Sequence, residues 1–356
     1  MALEVWTVGV SHVAIAPRAA ARAEAQGFDG IVVVDSQNLA GDPFVGLTLA
    51  ARETSTLRLG TGVTNPATRH PAAAAAAIAS VHLASGGRAH LGIGRGDSAL
   101  AHLGMAPAPV AELERFVRIT RAYLRGEAVP FDDLRPYERD GARPVDVLGL
   151  ADGPQESRLH WLPRDLDPVP VEVVATGPKA LSVAGAEADR VLVAVGADVE
   201  RVAWAVGVAR AAGAERIGAF VNVVAHPDTA VARRLGAGGL ATFARFSAMD
   251  GTVRSPIDAA SERVLHEVHD GYDMNQHTRA GSPQAARLTP DFVDRFGVVG
   301  PAEYCVGRLR ELAALGVDRF IVVGPSMDAE QDEARRAQKT FVGEVLPAIG
   351  EVSHAP

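Results

Sequence analysis

Leu57–Leu100 reads LRLGTGVTNPATRHPAAAAAAIASVHLASGGRAHLGIGRGDSAL. The stretch opens on an apolar strand, Leu57–Val63, and its last strand is Arg88–Ile93. Between them lies an alanine-rich helix, Ala72–Ser85, with Pro71 at its start, where the missing N–H of proline costs nothing. Both strands run into glycine-bearing turns. Strand, helix and strand in this order make a crossover connection, which parallel pairing requires.

The alternation extends both ways. Upstream, strands Leu3–Val10 and Ile31–Val34 precede helices Pro17–Gln26 and Phe44–Glu53, and Gly27 closes the first of these. Downstream, helix Val110–Arg125 is followed by strands Val169–Ala175, Arg190–Val195, Ile217–Val224 and Arg319–Val323. Helices Lys179–Glu187, Val199–Ala212, Pro301–Leu315 and Asp328–Leu346 accompany them. Two stretches break the rhythm. Residues 126–168 are rich in proline, aspartate and arginine and read as an irregular insertion. Residues 227–297 read as helical but irregular, with Asp270–Pro283 the least structured part. Eight apolar strands, each followed by a helix, predict an α/β fold with a parallel sheet. Two architectures satisfy the pattern: a closed (β/α)8 TIM barrel carrying the two insertions, or an open doubly wound sheet with an appended helical region. In either case residues 1–356 are taken as a single domain.

Of the 356 residues, 47% are hydrophobic and 22% charged, enough for a large core. The net charge of −8 argues against nonspecific nucleic-acid binding, which needs a basic surface. No apolar run approaches membrane-spanning length, so no membrane partner is expected. The amino terminus MALEVWTVGVSH lacks the features of a secretory signal. Cys305 is the single cysteine, which excludes an internal disulfide and a multi-cysteine metal site. The expectation is a cytoplasmic protein acting on a small-molecule substrate, with no metal. Lys179 and Lys339 are the only lysines, so arginine supplies nearly all the positive charge and its abundance carries no functional message.

In a barrel, chemistry sits at the carboxyl ends of the strands. Those ends carry Ser11-His12, Asp35–Asn38, Gly62–Asn65, Gly94–Ser98, Thr176–Lys179, Val195-Gly196, Val224–His226 and Gly324–Ser326. Glycines there let a flat ligand approach the backbone, or simply make tight turns. Thr176-Gly177-Pro178-Lys179 opens a helix whose free N–H groups favour an anion; an ordinary helix start reads the same way. Asp35 and Asp97 could accept hydrogen bonds from a ligand or donate a proton if buried, or cap helices and turns. His12 could face the site, whereas His70, before Pro71, reads as structural. His266, His269 and Asp270 lack a metal-site spacing.

Taken together, GFDGIVVVDSQ, LRLGTGVTNPATRHP, SGGRAHLGIGRGDSAL and ATGPKAL, in this order, resemble the bacterial luciferase-like superfamily of flavin- and deazaflavin-dependent oxidoreductases. The resemblance is nearest to the methylenetetrahydromethanopterin reductase-like branch, whose members use coenzyme F420. It implies a (β/α)8 barrel and a non-prolyl cis peptide at Gly62–Val63, in a bulge that backs the deazaflavin ring. It places Asp35 near that ring, with Gly62, Val63, Thr64 and Asn65 beneath it. Gly94, Arg95, Gly96, Asp97 and Ser98 match the loop that meets the ring and its side chain. Thr176, Gly177, Pro178 and Lys179 match the loop that binds the cofactor phosphate. Dimerisation is common in this group, and the small residues of Ala72–Ala79 would allow a homodimer contact or ordinary packing.

The resemblance also contains a departure. Dehydrogenase branches carry a histidine base directly after the aspartate, where this chain has Ser36. Oxidation of an alcohol is therefore disfavoured, and F420-dependent reduction of an imine, enone or activated alkene is expected, with Asp97, Ser36 or His12 as proton source. The competing readings are an FMN-dependent luciferase-like monooxygenase and a non-catalytic barrel that only binds or dimerises.

Overall fold

The computed structural model describes residues 3–350. Its strands are β1 (Glu4–Gly9), β2 (Gly30–Val33), β3 (Arg58–Thr61), β4 (Ala89–Ile93), β5 (Val171–Ala175), β6 (Arg190–Val193), β7 (Ile217–Ala225), β8 (Val298–Gly300) and β9 (Arg319–Val323). They pair in parallel in the order β6-β5-β4-β3-β2-β1-β9-β7-β8, and a further β6–β7 pairing closes the ring. The closed barrel therefore contains β1–β7 and β9, and the open doubly wound alternative falls. The strand unforeseen in the sequence is β8. It is three residues long and adds to the far end of β7 outside the ring, pairing with Val223–Ala225. A segment that short, directly after helical sequence, gives no periodicity to read.

The strands form where apolar, β-branched residues run together, and the helices start where a cap is available. Asp42 accepts from the N–H groups of Phe44 (2.8 Å) and Val45 (3.1 Å) to open helix 43–53. His70 Nδ1 accepts from Ala72 N at 3.1 Å, so this histidine is a cap for helix 71–84, as its place before Pro71 suggests. The closing helix begins at Gln331 rather than Asp328, because Glu330 caps it there. It also passes through a π-helical turn at Phe341–Val345.

Two apolar layers result. One fills the space between the outer face of the barrel and its helices. The other rises inside the barrel, from Trp6, Leu192 and Phe220, to the insertion helices 229–247, 259–270 and 290–296, which contribute Phe243, Leu265 and Phe296. Trp6 fits because residue 30 is glycine: a Cβ there would lie 2.4 Å from the indole. Towards the amino-terminal end, the barrel interior holds a charged network. Glu172 bonds His90 (3.0 Å) and Arg319, and Arg319 bonds Glu4 (2.6 Å) while its guanidinium lies 4.0 Å from the Trp6 ring centroid. Among the described residues, no helix is long and apolar enough to cross a membrane.

Candidate active site

The chain leaves β3 at Thr61 and turns through a cis peptide at Gly62–Val63, as the resemblance implied. Glycines permit this bulge to pack. A Cβ on Gly62 would come within 2.5 Å of Val32, and one on Gly94 within 2.7 Å of Val63. Thr64 then rejoins the sheet, donating to Gly92 O (3.0 Å) and accepting from Gly94 N (2.9 Å). Asn65 folds the next turn by accepting from Ala67 N and Thr68 N, both at 3.1 Å. Thr64 and Asn65 are each 0% exposed.

Seven buried polar atoms in the segments that follow β2, β3 and β4 have no hydrogen-bond partner in the protein: Asp35 Oδ2, Gln37 Oε1, Thr64 Oγ1, Asn65 Nδ2, Thr68 Oγ1, Arg69 Nε and Asp97 Oδ1. Buried polar atoms are rarely left so, and a cluster of them marks a place where something else completes the bonding. Asp35 is 3% exposed, and its Oδ1 accepts from Gln37 Nε2 at 2.6 Å. Burial raises its pKa, against the downward pull of the Thr64 hydroxyl and the Arg69 guanidinium.

Asp97 is held differently. Arg245, from the end of helix 229–247, donates to Asp97 Oδ2. Its guanidinium lies 5.0 Å from the Tyr272 ring centroid, and the Tyr272 hydroxyl is 2.8 Å from His277 Nδ1. Burial pushes the Tyr272 phenol up to about 12 and His277 down to about 4, so a neutral phenol and a neutral imidazole share this hydrogen bond. The segment Asp270–Pro283 thus contributes two side chains to a cluster at the mouth of β4. Sequence reasoning did not find Arg245, Tyr272 or His277. Arg245 lies 148 residues from its carboxylate partner, and in an arginine-rich chain nothing distinguishes it.

The other expected residues divide. Gly96 adopts a positive φ of 75°, turning the β4 loop. Arg95 points sideways and donates from Nε to Ala108 O at 2.5 Å, and Ser98 opens a short helix. At β5, Gly177 starts helix 178–187 with no side chain capping its free N–H groups. A Cβ on Gly177 would meet nothing within 4 Å, so the approach is open, with Thr176 half-buried and Lys179 exposed beside it. Ser36 is half-buried, its carbonyl closing a turn with Leu39 and Ala40. His12 is exposed, and its Nδ1 accepts from Ala14 N at 3.2 Å. Two further strand ends are sealed. Gly196 lies against Phe296, and buried His226 is bonded to Glu333 at 2.6 Å.

The family model described as luciferase-like monooxygenase matches residues 6–319. A 5,10-methylenetetrahydromethanopterin reductase of Methanolobus tindarius is 28% identical over 333 residues, covering 90% of this chain and 93% of the relative. An F420-dependent glucose-6-phosphate dehydrogenase of Intrasporangium calvum is 33% identical over 178 residues, 47% of this chain and 50% of the relative. Among solved structures, the coenzyme F420 dependent tetrahydromethanopterin reductase from Methanopyrus kandleri superposes with a TM-score of 0.69 at 24% identity, covering 98% of this chain and 100% of that one.

Proposed function

The chain belongs to the luciferase-like monooxygenase family, and from that premise we propose that it is an oxidoreductase similar to the methylenetetrahydromethanopterin reductases, using coenzyme F420 to reduce a small organic substrate. The observation that carries the reading is the cluster of unpartnered buried polar atoms on β2, β3 and β4, one strand away from the uncapped helix start at Gly177. A flat polar ring with an anionic tail needs both. F420-dependent activity in the names of relatives supports the choice of cofactor.

The residues present fit such a group. Gly62, Val63, Thr64, Asn65, Gly94 and Gly96 would hold the ring against largely side-chain-free backbone. Asp35, Asp97 and Ser98 would border it, and Arg95 would stiffen the adjoining loop. Thr176, Gly177, Pro178 and Lys179 would take the phosphate at the helix start. When bound, the cofactor supplies hydride from a deazaflavin carbon. The protein aligns the reactants and keeps water away, and the roof of helix 229–247 and residues 270–283 serves the second task.

Groups around the mouth can pass a proton in from solvent. Asp97, buried and tied to Arg245, has one free carboxylate oxygen there, while Ser36 and His12 stand nearer solvent. Ser36 in the place of a histidine base favours reduction of an imine, enone or activated alkene over alcohol oxidation. We further propose that residues 1–356 form one domain, with 126–168 and 227–297 as insertions, acting as a cytoplasmic homodimer. Helix 71–84, with Ala73, Ser80 and Leu83 exposed, offers a contact face, and sedimentation would measure the assembly.

Fluorescence titration of the purified protein with F420 and with FMN tests the reading. Micromolar F420 binding without FMN binding is the expected result. FMN binding alone would favour an oxygen-activating monooxygenase, and binding of neither a non-catalytic barrel.

A further inference from the structure

Two carboxyl groups border the mouth, and their surroundings separate them. Asp97 is engaged by a guanidinium. Asp35 has no cation in hydrogen-bond contact. The buried, otherwise unpartnered Arg69 Nε faces its Oδ2 at 4.0 Å, too far to donate to it, and the Arg69 Nη2 donor is committed to Asp42 at 2.8 Å. Oδ1 of Asp35 accepts from the neutral amide of Gln37, and Oδ2 is buried with no partner. The remaining groups facing it are the buried Thr64 hydroxyl and the more distant Asp42 carboxylate, whose charge opposes a second anion.

We infer that Asp35 is the neutral, proton-bearing carboxyl of this site, and that its Oδ2–H donates a hydrogen bond to a carbonyl-type acceptor on the edge of the bound cofactor. The inference rests on the F420 reading for the identity of the acceptor, but not for the state of Asp35. A buried carboxylate with no cation close enough to hydrogen-bond it is costly, whereas the neutral acid needs only one acceptor, which a ligand can bring. Burial shifts the group in the same direction, favouring the protonated form. A neutral donor would also favour negative charge developing on that acceptor, as other buried acids do in enzyme sites.

The test compares wild type, Asp35→Asn and Asp35→Leu in F420 fluorescence titrations across pH, each variant read against the others so that titration of the free cofactor cancels. Asparagine keeps a neutral donor and leucine removes it. The expected result is equal affinity of wild type and D35N at low pH. Wild type then weakens by about tenfold per pH unit above the folded pKa of Asp35, with D35N not sharing that loss. D35L is weak throughout. D35N weak at all pH values, with wild type tight and no weaker as pH rises, would overturn the inference in favour of an accepting carboxylate.

Carboxyl carbon NMR of unliganded, aspartate-labelled protein, assigned with D35N, reads the protonation state without cofactor. An Asp35 resonance titrating above the ordinary aspartate range is expected, and one titrating at or below that range contradicts the proposal. Should wild type fail to bind F420 at any pH, the cofactor reading fails, while the NMR titration still decides the state of Asp35.

Discussion

A methyl group at residue 94 has nowhere to go: its carbon would sit 2.7 Å from Val63 in the bulge that follows β3. Gly94→Ala is therefore expected to lower stability by about 1–3 kcal/mol through overpacking. It should also weaken F420 binding more than that loss of stability explains, because the displaced Val63 lies in the bulge proposed to face the ring. Thermal melts beside cofactor titrations check both. Asp35 makes a second prediction at this scale. Its pKa is raised in the fold, so its contribution to stability is complete below the unfolded value and is lost as pH rises through the folded one. Above that window D35N is expected to melt higher than wild type, and the gap should close as pH falls; a lower melting point for D35N at pH 8 would speak against a neutral Asp35. The glycines and Asp35 were legible as candidates from strand-end position and residue type, but only the family resemblance set them apart from ordinary turn and cap residues. The partner of Asp97 was not, since Arg245 comes from a helix 148 residues away.

Elements decide what closes over the site and what stays open. Helix 178–187 begins without a side-chain cap, and Lys179 is exposed beside its free N–H groups. Lys179→Ala is expected to weaken F420 binding by about fivefold, the scale of one exposed charge near a helix start, with the loss shrinking at high salt. Unchanged affinity would move the phosphate elsewhere. The roof is fastened to β4 by the Arg245–Asp97 pair and to the loop after β9 by Asp328, which accepts from Ala280 N at 2.6 Å and Gly281 N at 3.2 Å. Arg245→Met should speed hydrogen exchange across residues 270–283 while leaving β5 and β6 as they were. The barrel strands could be read from the sequence because each is a short, buried apolar run. The roof could be read only as a region, since its packing depends on contacts with strands far away in the chain.

The whole molecule divides labour between the two ends of one barrel. Burial pushes the carboxyl of Glu172 upward, but Arg319 and His90 overrule it and hold it well below the ordinary carboxylate range. A depressed folded pKa gives stability that is present above the unfolded value near 4.5 and lost as pH falls through the folded one. Acid unfolding should therefore begin below about pH 4.5, and Glu172→Gln should cost about 3–5 kcal/mol by removing the buried negative charge that Arg319 and His90 share, leaving Arg319 only Glu4. Its F420 affinity at neutral pH should match wild type, because chemistry sits at the opposite end of the strands. Chemical denaturation and cofactor titration of the same variant separate the two effects.

The most direct measurement is a crystal structure of the protein soaked with F420. The account predicts tricyclic density lying against residues 62–65, with its edge at Asp35 and its phosphate on the N–H groups that follow Gly177. Density for the ring elsewhere in the barrel, or a mouth filled by protein side chains with no room for it, would contradict the account.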